Sequence, residues 1–84
     1  MKISVLYFGR PRDHLKRAAE SADLPTDQAT VADLLASLRA RGGDWERELS
    51  ESRVRCSVNQ ALCALTAPLH DGDEVAIFSP ISGG

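Results

Sequence analysis

The sequence predicts an α+β fold in which a small sheet is covered by one main helix, and three observations carry that prediction. Residues 2–8, 53–58 and 73–78 alternate from one face to the other with the period of two that a strand imposes. Val31, Leu34, Leu35 and Leu38 fall at i, i+3, i+4 and i+7, a single apolar stripe on a helix. The chain has 84 residues, enough for one core and too few for two. A helix with one apolar stripe needs a surface to cover, and the strands supply it.

Lys2 to Phe8 reads as the first strand, with Ile3, Val5 and Tyr7 on one face and Ser4, Leu6 and Phe8 on the other. Gly9-Arg10-Pro11 is expected to break it, and Arg12 to Ala19 to form a short helix or irregular turn with Leu15 and Ala18 inward. Glu20 to Leu24, stopped by Pro25, reads as a short strand paired with the first. Thr30 and Asp33 have the spacing of a helix N-cap and a capping box, so the main helix is expected to begin at Val31. Arg39 and Arg41 suit the negative end of its dipole, and Gly42-Gly43 stops it. Asp44 is expected to cap a second, shorter helix in which Trp45 and Leu49 lie one turn apart, which makes Trp45 a core anchor.

Arg53 to Val58 places Val54, Cys56 and Val58 on one face. With Asn59-Gln60 as the central turn residues, Val58 pairs with Ala61, Cys56 with Cys63 and Val54 with Leu65 on the buried face, and Leu62 faces outward. A disulfide between Cys56 and Cys63 is geometrically conceivable, but packed thiols are expected in a reducing compartment. Pro68 to Gly72 is turn chemistry. Asp73 to Phe78 is the last strand, with Val75 and Ile77 inward and Ala76 and Phe78 outward.

Composition narrows the function. At 43% hydrophobic and 26% charged residues the chain is an ordinary globule and not a disordered segment. A net charge of −2 gives no basic footprint for nucleic acid, and Arg10, Arg12, Lys16 and Arg17 read as a solvated face. The apolar start is too short for a signal peptide, and no run approaches the roughly 18 apolar residues of a membrane span. A cytoplasmic protein is expected. Asp71, Asp73 and Glu74 fit a turn around Gly72 better than a cation loop, and His14 and His70 stand alone, so no metal site is expected. The sequence holds no nucleophile motif and no phosphate-binding glycine loop. It lacks the parts of a self-sufficient enzyme.

The sequence closes on Ser79-Pro80-Ile81-Ser82-Gly83-Gly84, and function is expected to sit there. Residues 1–78 read as the globular domain and 79–84 as a flexible tail. Six extended residues reach on the order of 20 Å, enough to thread a terminal carbonyl into another protein's active site. Pro80, with no amide donor, discourages further strand pairing and launches the tail. Outward Phe8, Leu62 and Phe78 form an apolar patch beside it, the kind of surface that marks a partner. Leu6 belongs to the same face, open between a patch role and cover by the short helix or a loop.

Val58-Asn59-Gln60, the stretch Pro68-Leu69-His70-Asp71-Gly72-Asp73-Glu74-Val75-Ala76-Ile77-Phe78 and the closing Pro80-Ile81-Ser82-Gly83-Gly84 resemble the MoaD-type sulfur carriers, the small subunits of molybdopterin synthases. Phe8 and Arg12 in the first third match as well. Ser79 stands where many relatives have proline and Gly9 where many have alanine. The resemblance implies a ubiquitin-like β-grasp, a mixed sheet wrapped on the helix that begins near Val31. It implies that an E1-like adenylyltransferase uses ATP to activate Gly84, that a sulfur donor converts it to a thiocarboxylate, and that no cofactor is bound. It further implies a heterotetramer of two small and two large subunits, in which the tail enters the large subunit and gives sulfur to cyclic pyranopterin monophosphate. Phe8, Arg12, Leu62 and Phe78 would be the partner contacts. A β-grasp carrier for thiazole synthesis or transfer-RNA thiolation, a ubiquitin-like modifier, and a binding module with an incidental Gly-Gly are the competing readings.

Overall fold

The computed structural model describes residues 1–80. In chain order the elements are β1 (Lys2–Tyr7), α1 (Gly9–Leu15), β2 (Ala19–Asp23), β3 (Ala29–Thr30), α2 (Val31–Arg39), α3 (Asp44–Glu48), β4 (Arg55–Val58), β5 (Ala61–Cys63), β6 (Pro68–Leu69) and β7 (Glu74–Phe78). Five strands form a sheet of order β2-β1-β7-β4-β5, in which β1 and β7 run parallel and the other neighbours antiparallel. The mixed sheet curls over α2, a ubiquitin-like β-grasp. β7 is the central strand, so the chain leaves the fold from a segment hydrogen-bonded on both sides.

One face of the sheet is the core. Ile3, Val5 and Tyr7 of β1, Val75 and Ile77 of β7 and Cys56 of β4 are buried against Val31, Leu34, Leu35 and Leu38 of α2. Each such leucine contributes about 1.5 to 3 kcal/mol relative to exposure. The start of α2 is fixed as its sequence implies. Thr30 Oγ1 accepts the Asp33 N–H at 3.2 Å, and Asp33 Oδ2 accepts the Thr30 N–H at 2.8 Å, a capping box closed by aspartate. The β4–β5 hairpin has the expected register of Val58 with Ala61 and Cys56 with Cys63. Asn59 and Gln60 take positive φ values of 50° and 72°, the signature of a type I′ turn. The pairing ends at Cys63, so Val54 and Leu65 do not face each other across a ladder; Val54 is buried in the core and Leu65 packs against it.

Several expectations are corrected. Gly9-Arg10-Pro11 does not merely break β1 but opens α1, because Pro11 lies in the first turn, where a missing N–H costs nothing. Lys16 then turns left-handed (φ 54°), which leaves Ala18 exposed and Leu15 only half-buried. Asp44 is the first residue of α3 and not its cap. Gly43 takes that place, and Asp44 pairs with Arg47. Arg41 lies beyond α2 and serves Glu20 instead of the helix dipole. Pro68 and Leu69 are not only turn residues, since they pair with Ala29 and Thr30 in a separate two-stranded ribbon. Ala61 is exposed, although its partner Val58 is half-buried.

Trp45 closes the edge of the core. Its ring meets Tyr7 edge-on at 5.7 Å, and the guanidinium groups of Arg41 and Arg17 lie 4.3 and 5.5 Å from its centroid. Those two arginines also hold Glu20. Arg41 donates two hydrogen bonds to its carboxylate at 2.8 and 2.7 Å, Arg17 Nη1 is 3.1 Å away, and the buried Tyr7 hydroxyl donates at 2.6 Å. Burial pushes the Glu20 pKa up, but the hydrogen bonds from Arg41 and Tyr7 and the two positive charges outweigh it, and the net shift is downward. Tyr7 is driven the other way, by burial first and then by the bond to Glu20.

Candidate functional site

The sheet's second face is left open, and its residues follow from strand alternation. Leu6 of β1 lies opposite Ala76 of β7, Ala76 opposite Ser57 of β4, and Ser57 opposite Leu62 of β5. Directly opposed residues share a face, so this row crosses four strands on the side away from α2. Phe78 ends the central strand, and Phe8, just past β1, carries the ladder one bond further by donating its N–H to the Ile77 carbonyl at 3.0 Å. Leu6, Phe8, Gly9, Ser57, Gln60, Glu74, Ala76, Phe78 and Ser79 line a shallow groove of about 550 Å³. Apolar side chains form most of its floor.

Exposure separates the residues of this face. Leu62 is 76% exposed and Phe8 47%, the only large apolar side chains so open among the described residues, while Leu6 and Phe78 are half-buried. The fold therefore brings Phe8 and Phe78 together in one groove and sets Leu62 beside it through Ser57. Leu6, left open on sequence grounds, lines the groove. Arg12 is exposed on α1 but stands outside the groove lining. Ser79 and Pro80 follow Phe78 directly. Ile81, Ser82, Gly83 and Gly84 lie outside the described residues.

The motif residues around the hairpin turn have a positioning role. Asp73 accepts the His70 N–H at 2.8 Å and the Asn59 side-chain amide at 3.0 Å, and the Asn59 side-chain oxygen accepts the Glu74 N–H at 3.0 Å. The backbone N–H of Asn59 reaches the Glu74 carbonyl at 2.8 Å. These bonds stitch the β4–β5 turn to the start of β7 and fix one end of the groove. The N–H groups from His70 and Asn59 hold the Asp73 carboxyl below its usual range.

Among the described residues the titratable groups do not assemble a catalytic set on this face. Burial pushes the Cys56 thiol up to about 12, reinforced by Cys63, and burial also raises Cys63, so neither is poised as a thiolate nucleophile. Both cysteines are free. Among the described residues no three His, Cys, Asp or Glu side chains gather as metal ligands, and no helix is long and apolar enough to cross a membrane. One feature escaped the sequence reading. Glu48 on α3 is buried with Arg10, His14 and Arg53 around it, beside the point where the tail begins.

A mixed sheet curled on α2, with an apolar groove on its other face, defines the class of small ubiquitin-like β-grasp proteins. Within that class the chain belongs to the ThiS family, whose model matches residues 5–84. It is 34% identical to the molybdopterin synthase sulfur carrier subunit of Escherichia coli (strain K12), over 98% of this chain and 99% of that one. Among solved structures it is similar to a putative molybdopterin converting factor subunit 1 from Pyrococcus furiosus (29% identity, TM-score 0.77, covering 95% and 98% of the two chains). It is also similar to SAMP1, a small archaeal modifier protein from Haloferax volcanii (27%, 0.72, 100% of both chains). A chain in a complex of subunits 1 and 2 of a molybdopterin-converting factor from Helicobacter pylori shares the fold (24%, 0.68, 100% of both chains).

Proposed function

We propose that this protein is the sulfur carrier subunit of a molybdopterin synthase. The observation that carries the reading is the apolar groove built around Phe78, at the point where the central strand hands over to the tail. The curated relative at 34% identity carries that function in its name, and the Helicobacter pylori structure pairs a chain of this fold with a second subunit. The large subunit would dock on Leu6, Phe8, Leu62 and Phe78, with Arg12 at the margin, and take in Ser79 to Gly84.

The chemistry supports the need for partners. An α-carboxyl has an ordinary pKa of about 3.3 to 3.7, so at neutral pH Gly84 ends in an anion that resists nucleophilic attack. An E1-like adenylyltransferase overcomes this by transferring AMP from ATP to the carboxylate, with pyrophosphate leaving. A sulfur donor then displaces AMP and leaves a thiocarboxylate. In the large subunit that sulfur passes to cyclic pyranopterin monophosphate, and two carriers are consumed for each dithiolene. Without a Cβ, Gly83 and Gly84 form a strip narrow enough for a tight channel.

Deleting Gly84 tests this directly. Molybdopterin synthesis from the pyranopterin precursor should be lost while binding to the large subunit persists, and a Gly84-deleted chain that still supports synthesis would refute the proposal. The likeness to SAMP1 favours one second reading, a modifier joined to lysines, for which the same preparation would contain isopeptide conjugates.

A further inference from the structure

Beside the tail root, two guanidinium groups share one buried carboxylate. Glu48 is 3% exposed, and Arg10 Nε donates to its Oε1 at 3.0 Å. Arg53 Nη1 lies 3.9 Å from Oε2 and His14 Nδ1 3.7 Å, too far for hydrogen bonds. The Arg10 and Arg53 side chains remain 56% and 49% exposed. Glu48 thus holds the Arg10 guanidinium by one hydrogen bond and attracts Arg53 by charge alone, leaving most N–H donors of both toward solvent. Two positive charges against one negative leave this spot positive in a chain whose net charge is −2. Arg10 and Arg53, with Ser79 and Pro80, wall a cleft of about 270 Å³. Ser79 lines both this cleft and the apolar groove, so the two surfaces are continuous.

We propose that this cleft is a carboxylate clamp that receives an aspartate or glutamate side chain on the protein that takes the tail. The inference rests on the carrier reading. Planar guanidinium groups match a carboxylate through paired N–H donors, and here Arg10 is hydrogen-bonded in place before the partner arrives while Arg53 is drawn to the same site by charge. Distance argues against the activated terminus as the ligand. Four residues span at most roughly 13 to 14 Å, so a Gly84 carboxyl drawn out to that length into a partner's channel would sit beyond the reach of Arg10 and Arg53. The anion they hold belongs to the partner's surface, at the mouth of the channel.

The test is association of the chain with its cognate large subunit, followed by surface plasmon resonance at about 50 mM and about 500 mM salt, with folding checked by thermal melts. Arg53→Glu leaves the Arg10–Glu48 bond in place and should slow association roughly tenfold at low salt, a gap that shrinks to under about twofold at high salt. Phe78→Ala should instead speed dissociation at both salt levels. If Arg53→Glu fails to fold, Arg53→Gln should show the same salt-sensitive slowing, on the order of threefold. A folded Arg53 variant that associates at the wild-type rate in low salt overturns the clamp and leaves the carrier reading standing. A wild-type chain that binds neither the large subunit nor the E1-like enzyme overturns both.

Discussion

Leu62→Ala separates the proposed docking face from the fold, and the structure sets the size of its effect. Burying a leucine side chain is worth about 1.5 to 3 kcal/mol. Leu62 lies on β5, the edge strand, and is 76% exposed, so about three quarters of that value, roughly 1 to 2 kcal/mol, is still available to a partner. If the large subunit covers Leu62, its removal should raise Kd by roughly 5- to 30-fold. The folded chain loses almost no contact, so its unfolding free energy should move by less than about 0.5 kcal/mol. Titration calorimetry against the large subunit measures the first quantity and a urea melt the second. An unchanged Kd would refute the assignment of this face, and a loss of stability comparable to the loss of affinity would refute the argument that Leu62 is free in the unbound chain.

Phe78→Ala should cost about 1 to 3 kcal/mol in binding, the range for a central interface aromatic, and unchanged affinity in calorimetry would remove the groove from the interface. Tyr7→Phe should cost about 1.5 to 2 kcal/mol of stability at neutral pH, the lower part of the range for bonds to charged groups, because Arg41 and Arg17 still hold Glu20. The sign with pH follows from Glu20, whose pKa is lowered by folding. Its stabilisation is present above the unfolded value of about 4.3 and lost as pH falls through the folded value, so the difference between wild type and Tyr7→Phe should shrink below about pH 4. Paired denaturant melts at neutral and acid pH would check this, and a difference independent of pH would contradict it.

Much of the fold was legible because local signals agreed. The stripe from Val31 to Leu38, the Thr30–Asp33 cap and the Gly42-Gly43 stop all pointed to α2, and Asn59-Gln60 set the hairpin register that placed Leu62 outward. The proposed docking residues emerged the same way, since Phe8 and Phe78 are outward by simple alternation. What the sequence hid depends on distant or very short contacts. The parallel pairing of β1 with β7 joins opposite ends of the chain and leaves no local pattern. The β3–β6 ribbon has two residues on each side, too few for a periodicity. Pro11 read as a breaker because its position within the first turn depends on where the helix starts. Glu48 carries no local signal in the sequence, and its burial follows from α3 packing beside α1, with Arg10 and Arg53 placed around it.

In a sulfur carrier of this kind, Gly84 would hold the sulfur. Intact mass spectrometry of the chain after incubation with its E1-like adenylyltransferase, ATP and a sulfur donor tests it most directly. The account predicts a species heavier by one oxygen-to-sulfur exchange, located at Gly84 by fragmentation and absent when ATP is omitted. A chain that keeps its unmodified mass, or gains mass only through lysine conjugation, would contradict it.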